Sequence, residues 1–213
     1  VCHRTGYWYY NVFYDVEALR GLDSVEDLYC PVRFDIEASG DRTFWVAAGL
    51  EPLPVSSNWC REQRERELKR MEGIVQSARL DNRHFKILTL AADCFLVKRH
   101  DGDGISIIAG YPWFADWGRD TMLSLPGLTL VTGRYDEFRS ILRMYLQFER
   151  DGLLPNLFPD QPGLPAYNTV DASLWVFWTL YKYWQYTGDW GFVEDAYPVL
   201  RKITDHYESG THF

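Results

Sequence analysis

Two short stretches decide how this chain is read: LVTGRYDEF, Leu130–Phe138, and QYTGDWGFVED, Gln185–Asp195. In each, an apolar run ends on Thr-Gly, and an acidic, aromatic turn opens the next run. Gly133 and Gly188 suit a left-handed cap at a helix C-terminus, a conformation that penalises any residue with a Cβ. Helices that follow one another across so short a capped turn fold back as antiparallel αα-hairpins. The repetition is one of supersecondary structure, too degenerate to count as a sequence repeat.

Working outward, the runs on either side also read as helices. YDEFRSILRMYLQFERDG sets Phe138, Ile141, Leu142 and Tyr145 at helical spacing. DASLWVFWTLYKYWQYTG is a second helix, and YPVLRKITDHYES a third, with Pro198 suited to its first turn. Upstream, RDTMLSLPGLTLVTG is apolar on most sides, and Pro126 should kink or interrupt it. HFKILTLAADCFLVKRH places Phe85, Leu88, Ala92, Phe95 and Leu96 on one stripe. The charged SNWCREQRERELKRMEGIVQSARL reads as a linker helix with one buried side.

Before Pro52 and Pro54 the pattern changes to β. YWYYNVFY reads as a strand, and RFDIEA and RTFWVAA as two strands about a turn at Gly40 and Asp41. RGLDSVEDLYCP, polar and closed by Pro31, reads as a loop. The expected organisation is therefore β over 1–54, a linker helix over 55–82 and a helical domain over 83–213.

Composition narrows the function classes. Of the 213 residues 46% are hydrophobic and 24% charged, ordinary for a globular chain, whereas the aromatic share of 16%, with nine Trp, is high. The net charge of -8 argues against nucleic acid, which draws affinity from basic patches, and is compatible with a neutral ligand. No apolar run is long enough to span a membrane, and VCHRTGYWYYN lacks the pattern of a signal peptide. Cys2, Cys30, Cys60 and Cys94 are far apart and form no zinc pattern, which favours reduced thiols in the cytoplasm.

Two long loops, DGDGISIIAGYPWFADWG and RDGLLPNLFPDQPGLPAYNTV, are rich in glycine and proline yet strongly apolar. Loops of that kind are usually functional. The first crowds Tyr111, Trp113, Phe114 and Trp117 ahead of Arg119 and Asp120. A five-donor fork beside an acceptor-only carboxylate suits hydroxyls, which both donate and accept, and aromatic rings suit the C–H faces of a sugar. The alternative makes Asp120 a first-turn acid favoured by the helix dipole, with Arg119 paired elsewhere; on the motif alone this has a slight edge. The second loop ends in YNTVDASLW, where Asp171 is either a helix N-cap or a catalytic acid at a helix mouth. On that motif alone the cap is the stronger reading. No phosphate loop, G-x-S-x-G or H-E-x-x-H is present.

Taken in series, YPWFADWGRDT, TGRYDEFRSIL, DGLLPNLFPD and AYNTVDASLWVFWTLYKYWQYTGD closely resemble the amylo-α-1,6-glucosidase part of glycogen debranching enzymes. RGLDSVEDLYCPVRF resembles the end of the β-sandwich that precedes it in bacterial and archaeal members. The resemblance implies a mainly α fold, the first half of an (α/α)6 toroid preceded by the end of a β-sandwich. It implies metal- and cofactor-free, inverting hydrolysis of α-1,6-linked glucose on glycogen, limit dextrin or another α-glucan. By resemblance Trp117, Arg119 and Asp120 hold the terminal glucose and Asp171 is the general acid. Tyr111, Trp113, Asn156 and Asn168 are further pocket candidates. An inverting enzyme also needs a base about 6.5–9.5 Å from the acid. In the family that base is a Glu far downstream, so the chain is expected to be a fragment, inactive alone. A glucoamylase- or trehalase-like toroid enzyme and a non-catalytic glucan-binding module are the competing readings. Oligomeric state is not legible.

Overall fold

A computed structural model of the chain describes residues 1–37, 40, 43–79, 81–99, 104–111, 114–159 and 164–211. Two compact units divide it, Val1–Cys60 and Arg61–Phe213.

In the first unit β1 (Cys2–Phe13) pairs antiparallel with β2 (Val25–Phe34), Cys2 facing Phe34 and Phe13 facing Val25. A short helix, α1 (Asp15–Leu19), joins them. This corrects two expectations. Val25–Pro31, expected as a loop, is most of β2, and the strands expected over 33–38 and 42–48 are absent over the described residues 35–37 and 43–48. The reason lies in the partner. The aromatic run of β1 supplies cross-strand neighbours such as Trp8 against Tyr29, ring centroids 4.9 Å apart, that a polar-looking segment can pair with. Pro31 is tolerated because Thr5 and Gly6 bulge opposite it, where the ladder is already interrupted. Of the expected Gly40–Asp41 turn, Asp41 lies outside the described residues.

The second unit is helical. α2 (Ser57–Ser77) runs into it. Its partly buried Met71, Ile74 and Val75 lie at helical spacing, which matches the single buried side expected. α3 (Arg83–Asp93) is shorter than expected: it stops at Cys94, and Leu96–Lys98 form β3, paired with β4 (Ile105–Ile107). The expected stripe is corrected accordingly, since Phe95 and Leu96 leave the helix, Phe85 and Leu88 are exposed and only Ala92 is buried.

β5 (Asp116–Trp117) leads directly into α4 (Gly118–Leu125), which passes into a π-helical turn, Pro126–Leu130. Pro126 has no N–H for the Met122 carbonyl. The Thr179 hydroxyl donates to that carbonyl instead, at 2.7 Å, so a neighbouring helix replaces the lost bond. α5 (Tyr135–Gln147) buries Phe138, Ile141, Leu142 and Tyr145 completely, as its spacing predicts. β6 (Leu157–Phe158) pairs antiparallel with β5. Thr179 belongs to α6 (Asp171–Thr187), which turns inward Ala172, Ser173, Val176, Thr179, Leu180 and Tyr183. The hydrophobic core gathers where these helices meet α7 (Trp190–Ser209), on Phe192, Ala196 and Ile203.

The caps that announced the hairpins are present: Gly133 has φ +77° and Gly188 φ +67°. α7 starts earlier than expected, with Asp189 accepting from the Phe192 N–H at 3.2 Å. Pro198 is therefore inside the helix and not in its first turn. Pro198 and Glu194, whose carbonyl it cannot satisfy, are both exposed residues.

Candidate active site

The two apolar loops fold into the short β5–β6 pair and deliver their helices to one place. Gly118 opens α4 so close to the second loop that a Cβ there would lie 2.0 Å from the Pro155 carbonyl oxygen. Its N–H donates to the Asn156 carbonyl at 2.8 Å. Asn156 in turn donates its backbone N–H to Ala166 at 2.7 Å and its side-chain Nδ2 to Asn168 Oδ1 at 3.0 Å. A chain of backbone and amide contacts thus ties the start of α4 to the approach to α6.

Across that junction Arg119 meets Asp171. Arg119 Nε lies 3.0 Å from Oδ1 and 2.8 Å from Oδ2 of Asp171. Arg119 Nη2 donates to Thr169 Oγ1 at 3.1 Å, and the Thr169 hydroxyl donates to Asp171 Oδ1 at 2.5 Å. These hydrogen bonds, Thr169's first and then Arg119's, hold the Asp171 carboxyl below the usual carboxylate range. Asp171 is not an N-cap. Val170 occupies that position and makes no side-chain cap hydrogen bond. The cap reading is thus replaced by an ion pair that joins two helix N-termini.

The triad of side chains borders a cavity of about 540 Å³ lined also by Leu153, Tyr167, Asn168, Val170 and Thr211. Among its described lining residues Asp171 is the one carboxylate. The lining residues offer a guanidinium, an amide, three hydroxyls (Tyr167, Thr169 and Thr211) and a carboxylate over apolar surface, with the two charges cancelling. Such a set suits a neutral ligand with many hydroxyls.

Of the residues singled out from sequence, Arg119, Asn168 and Asp171 line this cavity, and Asn156 stands behind Asn168, buried, with its Oδ1 lacking a partner. Trp117, half-buried on β5, is not among the lining residues. Asp120 is exposed in the first turn of α4, the position the dipole reading gives it, and also lies off the lining. Tyr111 is exposed, its hydroxyl tied to the Cys94 carbonyl at 3.0 Å. Trp113 lies outside the described residues. Thr169 was missed. Its place two residues before Asp171 was visible, but only the fold reveals that it also meets Arg119. Among the described residues no three His, Cys, Asp or Glu side chains cluster as metal ligands would, and no helix is long and apolar enough to cross a membrane.

Fold and site together define a mainly helical protein with a charged, hydroxyl-matching cavity where two helices begin. Residues 90–213 match the family described as Amylo-alpha-1,6-glucosidase, and residues 2–44 match Glycogen debranching enzyme N terminal. The chain belongs to the amylo-alpha-1,6-glucosidase family of glycogen debranching proteins. It is 40% identical over 77 residues to the glycogen debranching enzyme of Saccharomyces cerevisiae, a match covering 34% of this chain and 5% of the yeast protein.

Proposed function

We propose that this chain carries the acid side of a glycosidase site that removes α-1,6-linked glucose from branch points of glycogen or limit dextrin. The observation that carries the reading is the Arg119–Thr169–Asp171 cluster on the cavity wall, within a chain of debranching family. In this reading the β-rich first unit is the end of a β-sandwich of the bacterial and archaeal kind, and the helices are part of an (α/α)6 toroid. In the same reading Trp117 and Asp120 join Arg119 in holding the terminal glucose, and Tyr111 and Trp113 are further pocket residues.

The charge state of Asp171 sets the order of events. Paired with Arg119 and Thr169 it is ionised, which is the wrong state for an acid. A glucosyl unit entering the cavity offers its hydroxyls to Arg119, the pair opens, and the carboxyl takes up a proton. Asp171 then protonates the glycosidic oxygen as that bond breaks. A water attacks the anomeric carbon from the opposite face, its proton passing to a second carboxylate, which is not among the described residues lining this cavity. Glucose leaves with inverted configuration.

A glucan-binding role without chemistry is what the ionised pair would favour by itself. Assays of the full-length protein on panose, isomaltose, maltose and trehalose separate the readings. Hydrolysis confined to the α-1,6 bonds of panose and isomaltose supports the proposal. Cleavage of maltose or trehalose in preference supports another toroid glucosidase, and binding with no cleavage supports the module.

A further inference from the structure

Asp116 ends the aromatic loop and opens β5, three residues before Arg119. Its carboxylate is almost wholly enclosed and is filled from four directions. Oδ2 accepts from Arg99 Nη1 at 3.0 Å and from the Ser106 hydroxyl; Oδ1 accepts from the Thr121 hydroxyl at 3.3 Å and from the Tyr145 hydroxyl. A carboxylate has about four acceptor positions, so none is left over. The donors come from different parts of the chain: Arg99 from the residue after β3, Ser106 from β4, Thr121 from α4 and Tyr145 from α5. Arg99 also lies over the ring of Phe158, 4.5 Å from its centroid, and Phe158 is the residue that Asp116 faces across the β5–β6 pair.

A buried charge so fully satisfied is costly to replace by anything that fills fewer positions, yet an apolar contact would serve the core as well. What the cluster does supply is a fixed point. It locks β5 against β4, α4 and α5 on one side, while Gly118 locks it against Pro155 and Asn156 on the other. Arg119 projects from the far end of that clamp into the cavity. The geometry points to Asp116 as a positioning residue, which acts through β5 to set where the Arg119 guanidinium meets a bound sugar. This rests on the function proposed above for the Arg119–Asp171 cavity.

Asp116→Ala removes all four bonds, and Tyr145→Phe removes a single donor and keeps the ring. In the full-length protein both are compared with wild type for panose hydrolysis and, by calorimetry, for affinity toward the glucose-shaped iminosugar 1-deoxynojirimycin. A positioning role raises the panose KM and weakens the iminosugar at least about tenfold in Asp116→Ala and about two- to fivefold in Tyr145→Phe, with kcat per folded molecule within about threefold, the signature of lost uniform binding. If Asp116→Ala does not fold, Tyr145→Phe alone carries the comparison. A loss confined to melting temperature or to the active fraction, with KM and iminosugar affinity unchanged, makes the cluster purely structural and overturns the inference. Should wild type bind the iminosugar but cleave no α-1,6 bond, the proposed function fails while the calorimetric comparison still decides the role of Asp116.

Discussion

The Arg119–Asp171 pair contributes little to stability. Both side chains are close to half exposed, at 52% and 41%, and exposed pairs contribute roughly 0.2–1 kcal/mol. Arg119→Ala should therefore leave the denaturation midpoint almost unchanged while weakening a glucose-shaped inhibitor, measured by chemical denaturation beside calorimetry; a large stability loss would make the pair a structural strut. Thr169→Val tests the charge state instead. It removes the first of the contacts that hold the Asp171 carboxyl low, so that carboxyl becomes easier to protonate. The falling alkaline limb of kcat/KM reports the acid of the free enzyme, and in Thr169→Val it should move to higher pH. An unmoved limb assigns that titration to another group.

At the scale of elements, the two glycine caps differ in a measurable way. Both hold positive φ, which costs a residue with a Cβ about 1–2 kcal/mol. Around Gly188 there is open space, whereas a Cβ at Gly133 would lie 2.7 Å from the Ser77 carbonyl oxygen, tying the end of the π turn to the end of α2. Gly188→Ala should lose only the backbone cost, and Gly133→Ala distinctly more; equal losses in urea denaturation would contradict the packing. The same corner holds Asp93, at the end of α3, between Arg134, at 2.5 Å, and Arg70 of α2, at 2.6 Å. Burial pushes its carboxyl up, but the hydrogen bonds from Arg70 and Arg134 outweigh it and hold it below the ordinary value. A depressed carboxylate stabilises the fold above its unfolded pKa, about 3.9 for Asp, and loses that contribution as pH falls through the folded value. The melting-temperature gap between wild type and Asp93→Asn should be widest above about pH 4 and shrink below it. A gap constant across that range would show that the ion pairs contribute nothing.

Over the whole molecule, what was legible in the sequence was what depends on neighbours in sequence. Gly133 and Gly188 declared their caps, and the stripe of Phe138, Ile141, Leu142 and Tyr145 declared the buried face of α5. What was not legible depends on partners far along the chain. β2 is a strand because of β1, and Cys94 ends α3 because Leu96–Lys98 find β4. Pro198 is harmless inside α7 because the fold leaves it in water. The site divides in the same way: the motifs around Arg119 and Asp171 taken alone favoured structural readings, Asn168 was a candidate only by resemblance, and the meeting of Arg119 with Asp171 and Thr169 is a contact across about fifty residues that no local pattern shows.

The central claim is that Asp171 protonates the leaving oxygen of an α-1,6 glucoside in an inverting reaction. Proton NMR of the first glucose released from panose, by the full-length protein and by its Asp171→Asn variant, tests it most directly. The account predicts β-glucose from the wild type, and from the variant a rate lower by roughly 10²–10⁴-fold, since an amide cannot donate the proton. Release of α-glucose, or turnover by Asp171→Asn within a few-fold of wild type, would contradict it.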